Sequence, residues 1–177
     1  MRFLKGLEVH DRPEAGARLG QMFINGSWES GTGKEWLRVV SPSTGQDVGW
    51  LPLGSRADAH RAIASARENA WKLASMPVWQ RAALCQAIGA EIDRRADEIA
   101  TLLSLEQGKT IAEARGETAG AAKAFRNAGE QIKWLETASI PLEDPAKRAM
   151  SILQPKGVFG VITPRNYPVA LPSIYYL

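Results

Sequence analysis

Apolar positions change their period along the chain, and the changes mark out its elements. Met22 to Ile24, Trp36 to Val40 and Gln46 to Leu51 are short β-prone runs, and Ser41-Pro42-Ser43-Thr44-Gly45 between the last two has turn chemistry. A hairpin is predicted there. From Ser55 the period lengthens to that of a helix. Ser55 with Asp58 three residues on makes a capping box that opens a helix to about Trp71. Pro77 suits a first helical position, and a second helix is predicted from it to about Glu106, stopped by Gly108. Along it Leu84, Ile88, Ile92, Ala96, Ile99 and Leu103 recur at steps of three and four, a core stripe, with Glu91 and Arg95 as an outer i,i+4 pair. Thr110 and Glu113 open a third helix, whose stripe runs Ile111, Ala114, Thr118, Ala121, Phe125, Ala128, Ile132 and Leu135. Its Gly116 and Gly120 suit close approach of another helix. Large apolar residues are too few in that repeat for a strong coiled coil.

Past the third helix, Pro141 and Pro145 mark a polar linker, and two strands are predicted, Met150 to Gln154 and Val158 to Ile162, parted by Pro155-Lys156-Gly157. The second is a continuous apolar run, the pattern of a strand buried on both faces, and open α/β sheets place ligands beyond the carboxyl ends of such strands. Thr163-Pro164-Arg165-Asn166-Tyr167-Pro168 follows directly. The two prolines restrict the backbone on either side of Asn166, so its carboxamide can be aimed with little entropy left to lose. An Asn between prolines also makes an ordinary Asx-type turn, and the residues alone leave the two roles about even. The fold class is α/β, of α+β character over these residues.

Composition narrows the function. With 177 residues, 45% of them hydrophobic and 23% charged, the chain is ordinary globular protein, long enough to bury its own core. One cysteine excludes an intramolecular disulfide, and with two histidines it argues against a zinc site, so no metal is expected. The chain has no eighteen-residue apolar run and no secretory pattern, so no membrane role is expected and the cytoplasm is the default compartment. In the first 21 residues Arg2, Lys5, Arg12 and Arg18 are interrupted by Glu8, Asp11 and Glu14, which reads as a frayed or loosely docked extension. The net charge of +3 permits nucleic-acid binding, but the basic residues are dispersed among acids and none is expected.

Several features have plain structural readings. Gly31-Thr32-Gly33-Lys34 lacks the Ser or Thr and the leading Gly of a phosphate loop, and reads as a hairpin-type turn. Cys85 shares a face with Ala82 and Ile88 and reads as an inert core thiol. His10 and His60 lack a nucleophile at a useful spacing. Trp28, Trp36, Trp50, Trp71, Trp79 and Trp134 read as packing anchors.

Taken together, the motifs point to a family. Thr163 to Pro168 resembles the T-P-W-N-[FY]-P segment of the NAD(P)-dependent aldehyde dehydrogenase superfamily. Phe23 to Gly26, Ser41 to Gly45, Leu53 to Ser55, Pro77 to Arg81, Leu105 to Lys109, Glu113 to Glu117 and Pro155 to Gly160 fall in that family's order. The resemblance covers residues 22 to 177 and implies the amino-terminal part of such an enzyme: an oligomerisation hairpin, three long helices and the first strand of an incomplete dinucleotide-binding domain. It implies that the family's catalytic cysteine, general base and phosphate loop lie beyond residue 177, and that this chain alone is inactive. It places Asn166 at the oxyanion hole, and Ile162, Thr163, Pro164 and the residue at 165 along the cleft for NAD or NADP. Arg165 departs from the family's aromatic residue and puts cofactor binding by this chain in question. The implied substrate is a small-molecule aldehyde, and association as a homo-oligomer or through exposed edges is expected. A small module that binds full-length relatives or its own copies is the alternative, and a nucleic-acid-binding protein a distant third.

Overall fold

The computed structural model describes residues 8–175, which divide into two compact units: 8–69 with Arg95–Glu117, and Ala70–Arg94 with 118–175. In the first, strands β1 (Val9–His10), β4 (Trp36–Val40) and β5 (Asp47–Pro52) form an antiparallel sheet in the order β1-β4-β5. The predicted hairpin is β4–β5. Trp36 lies opposite Pro52 and Arg38 opposite Trp50, with a bulge between Val39 and Val40. In its turn Gly45 takes a φ of +71° and donates its N–H to Ser41 O at 2.8 Å, a left-handed conformation that suits glycine. Trp36, 3% exposed, is the main aromatic of this unit's core.

A second hairpin joins β2 (Met22–Ile24) to β3 (Ser27–Glu29). Its loop is Asn25-Gly26, with both residues at positive φ, the tight turn whose twist matches the strands it joins. The extension is tied down more firmly than its charges suggest. Val9 and His10 pair with Leu37 and Trp36, Trp50 donates its N–H to Arg18 O at 2.9 Å, and Gly20 donates to Trp50 O at 2.7 Å. Arg2 and Lys5 lie outside the described residues.

Helix α1 (Arg56–Ala74) begins at the predicted capping box, and α4 (Ile111–Gln131) at the other one, where Thr110 and Glu113 bond reciprocally at 3.0 and 3.3 Å. The helix predicted from Pro77 to Glu106 is instead two, α2 (Val78–Arg94) and α3 (Ala96–Gln107). Arg95, at φ −104° and ψ 15°, leaves the helical region between them. No Pro or Gly marks the break. Arg94 pairs back with Glu91 at 2.6 Å and Arg95 forward with Glu98 at 2.7 Å, while Asp97 and Glu98 favour a fresh helix start beside them. Gly108 ends α3 as expected, at φ +71° with its N–H on Ser104 O at 2.9 Å. Beyond it Lys109 Nζ meets the buried Glu117 carboxylate at 2.5 Å.

In the second unit, α2 packs antiparallel to the later turns of α4. A Cβ on Gly89 would lie 2.9 Å from Ala122 O, and one on Gly129 would lie 3.0 Å from Ala82 O and 3.1 Å from Cys85 Cβ. Backbone touches backbone there, so the close-approach glycines are 89 and 129. Gly116 and Gly120, expected in that role, have nothing within 4 Å of an added Cβ. The contact line of α2 is correspondingly Ala82, Cys85 and Gly89, with Ile88 and Ile92 half-buried and Leu84 exposed. The α4 stripe is buried at Ala114, Thr118, Ala121 and Phe125. Trp28, Trp71, Trp79 and Trp134 are exposed and do not anchor a core among the described residues. Trp79 serves another end, carrying the Lys133 ammonium 5.4 Å above its ring.

After a 3₁₀ turn at Ile132–Trp134, strands β6 (Ser139–Ile140) and β7 (Ala149–Met150) form a short antiparallel ladder. The strand predicted from Met150 to Gln154 is therefore confined to its first residue. Val158 to Ile162 forms no strand: it has no ladder partner among the described residues, Phe159 is 70% exposed and Ile162 97%. A strand buried on both faces exists through the ladders on either side of it, and this segment has none among the described residues.

Candidate functional site

The proline-bounded corner follows that extended segment. Arg165 to Val169 turn the chain into a short helix, α5 (Ala170–Tyr175), where Leu171 donates its N–H to Tyr167 O at 3.1 Å and the buried Ser173 hydroxyl to Val169 O at 2.7 Å. The corner is thus held from its carboxyl side by hydrogen bonds that reach back over it. Asn166 is exposed and takes part in an interaction within the chain, as does Tyr167. Thr163 is half-buried, and Ile162, Pro164 and Arg165 are exposed. All five predicted residues are adjacent in sequence and share one stretch of extended chain and turn. The chain's one thiol, Cys85, sits on the α2 contact line. For a dinucleotide, the backbone of Ile162 to Pro164 and the Arg165 guanidinium supply at most one wall.

The densest polar constellation lies elsewhere, at the start of α1. Asp58, 2% exposed, accepts from Ser55 N–H and Oγ–H at 2.8 Å each, from Thr32 N–H at 3.0 Å and Oγ–H at 3.1 Å, and from Arg61 at 3.1 Å. Arg61 also pairs with Glu29. The Gly31 to Lys34 stretch, expected as a hairpin turn, is thus a loop clasped to a helix start; Gly31, at φ +75°, leaves room for the carboxylate, which an added Cβ would approach to 2.9 Å. The Ser55-x-x-Asp58 spacing signalled the cap, but nothing local signalled Thr32. Donation from Ser55 first, and then Thr32, holds the Asp58 carboxyl well below the usual carboxylate range. A carboxylate so fully satisfied carries no proton to transfer, so its work is structural. Its contribution is present at neutral pH and is lost as pH falls through the lowered titration. Asp58→Asn should therefore lower the melting temperature at pH 7 and flatten the acid limb of the stability curve. Melting curves from neutral to strongly acid pH check this; an unchanged acid limb would exclude Asp58 as a source of it. Among the described residues no three His, Cys, Asp or Glu side chains gather as metal ligands, and no helix is long and apolar enough to cross a membrane.

The described residues are those of an aldehyde-dehydrogenase-like fragment built of several helices and small antiparallel sheets. The chain belongs to the aldehyde dehydrogenase family, whose profile matches residues 28–175. It is 35% identical over 158 residues to glutarate-semialdehyde dehydrogenase of Pseudomonas putida, covering 85% of this chain and 32% of that one. It is 33% identical over 153 residues to the NADP(+) succinate-semialdehyde dehydrogenase of Escherichia coli, covering 85% and 31%. Among solved structures, an aldehyde dehydrogenase from Brucella melitensis biovar abortus superimposes with a TM-score of 0.84 at 32% identity, covering 87% of this chain and 32% of the other. A succinate-semialdehyde dehydrogenase from Burkholderia pseudomallei gives 0.84 at 30%, covering 92% and 34%. The chain therefore spans about a third of the length of the relatives it matches.

Proposed function

We propose that these residues supply the amino-terminal third of an NAD(P)-dependent aldehyde dehydrogenase, with Asn166 as the oxyanion donor and Ile162, Thr163, Pro164 and Arg165 along the cofactor cleft. The observation that carries this reading is the collinear family match, which runs through the corner to residue 175. In thiohemiacetal chemistry the former aldehyde oxygen becomes negative, and a neutral amide N–H₂ fixed beside it stabilises that charge without titrating. A bound nicotinamide supplies the hydride acceptor; this chain's part is to aim Asn166 through Pro164, Pro168 and the bonds of Ser173. The oxidised substrate is an aldehyde, and both NAD and NADP are compatible with the relatives' names.

The 177 residues alone are expected to oxidise no aldehyde with either cofactor, because their one thiol, Cys85, sits on a helix contact line without a base. Reduced-cofactor formation with glutarate semialdehyde as probe checks this. Turnover by the purified chain that disappears in Cys85→Ser would overturn it. Exposed Met150, Ile152, Leu153, Phe159 and Ile162 favour a second reading, in which this surface associates with another polypeptide. Mixing the chain with a full-length family member separates the two, since only the second reading requires the chain to co-elute with that relative in size-exclusion chromatography.

A further inference from the structure

We propose that Asn25-Gly26 is a modification site, which closes to a cyclic imide with loss of ammonia and reopens in part as isoaspartate, at a rate set by opening of the β2–β3 hairpin. Of the chain's four asparagines, Asn25, Asn69, Asn127 and Asn166, only the first precedes glycine. The Gly26 amide nitrogen, having given its proton to hydroxide, attacks Asn25 Cγ. The new C–N bond forms as Cγ–Nδ2 breaks, and Nδ2 leaves as ammonia. Water then adds to one of the two imide carbonyls and yields aspartate or isoaspartate, with no change of oxidation state. Glycine permits this because no side chain crowds its nitrogen. Here both residues are exposed, and a Cβ added to Gly26 would find nothing within 4 Å.

The closed turn holds the reaction back. Asn25 is left-handed, at φ +51°, and the ψ of about +47° that belongs to that region sets the Gly26 nitrogen trans to the Asn25 Cβ, where Cγ cannot meet it. The hairpin must open for ψ to rotate. Opening is cheap: β2 and β3 form a sheet that no third strand joins among the described residues, with three register pairs, and of its strand residues only Ile24 is buried. Phe23 and Trp28 pack together at 5.0 Å between centroids yet stay 59% and 64% exposed. Two side-chain tethers reach α1, where Ser65 Oγ donates to Asn25 Oδ1 at 3.1 Å and Arg61 pairs with Glu29. The two products differ in what they leave behind. Aspartate keeps an acceptor for Ser65 and suits the same turn. Isoaspartate carries the main chain through Cβ and Cγ, a methylene longer, so the two-residue loop no longer sets the register of the strands.

Incubation of the full chain at neutral to mildly alkaline pH, with peptide mapping of all four asparagines, tests this. Conversion should be confined to Asn25, rise in proportion to hydroxide, and yield an isoaspartyl peptide beside the aspartyl one. The ratio of its rate in the native chain to that in urea should equal the open fraction of residues 22–29 read by hydrogen exchange, and should exceed the globally unfolded fraction. Ser65→Ala, which cuts one tether, should raise the conversion rate and the exchange of 22–29 by the same factor. The isoaspartyl form, once separated, should lose protection of 22–29, whereas Asn25→Asp should keep it. A native rate equal to that in urea would overturn the proposal, as would a rate no higher than global unfolding allows, or conversion at Asn69 or Asn127 that matches Asn25. So would faster exchange in Ser65→Ala without faster conversion, or an isoaspartyl form as protected as its parent.

Discussion

Replacing Asn166 with Ala in a hybrid that joins residues 1–177 to the remaining two-thirds of the Pseudomonas putida relative should lower kcat about a hundred-fold to a thousand-fold, the usual cost of one oxyanion donor. The fold should survive. The prolines, the backbone bonds and the Ser173 bond of α5 hold the corner whichever side chain stands at 166. Because the charge develops only after the thiolate has attacked, KM for the aldehyde should change far less than kcat. Asn166→Asp should do no better than Ala, since a carboxylate faces the oxyanion with like charge. The Asx-turn role makes the opposite forecast: melting temperature falls in Asn166→Ala while kcat stays within a few-fold. Steady-state kinetics beside melting curves on the same samples therefore assign the residue, and the second pattern would remove Asn166 from the catalytic machinery.

Gly89→Leu should be among the most damaging helix substitutions. At that point the α2 backbone runs against Ala122 O, with Arg126 Cγ 3.0 Å from an added Cβ, and a carbonyl in the middle of a helix cannot retreat. Overpacking of this kind costs about 1–3 kcal/mol, and a chain of this length loses roughly 2–4 °C of Tm per kcal/mol. Gly116→Ala, in a helix but facing open space, should move the other way by up to about 1 kcal/mol, through helix propensity alone. Calorimetry of the two variants gives opposite signs if the helix contact is as described. Equal stabilisation by both would show that α2 does not rest on α4 at Gly89.

What the sequence revealed was mostly local. Ser55 with Asp58 and Thr110 with Glu113 announced their helices because each box closes within four residues, and Gly108 announced a stop for the same reason. Non-local requirements were hidden. Val158 to Ile162 has the composition of a buried strand, but composition does not provide the neighbouring backbone that makes a strand. Glycines 89, 116, 120 and 129 look alike along the helices, and only the partner's position separates the two that are contacts from the two that are not. Thr32 gave no sign of its bond to a carboxylate 26 residues away, nor did His10 of its place against Trp36. The corner was legible as a motif, with Asn166 in a rigid frame. Its chemistry was not, because an oxyanion donor is defined by a reacting atom beside it.

Gly108 is constrained twice over, and this bears on how such a chain tolerates change. Its φ of +71° excludes most side chains by backbone strain, and an added Cβ would lie 2.7 Å from the Pro42 ring, which is itself fastened to the chain. Relieving either constraint alone gains nothing: a residue at ease in the left-handed region still strikes the ring, and a smaller neighbour at 42 still leaves the strain. Paths of single substitutions away from glycine are therefore closed in both orders. Under saturation mutagenesis scored for folding, position 108 should read as nearly monomorphic. Drift at this site would require the Ser41 to Gly45 turn and the end of α3 to be rebuilt together.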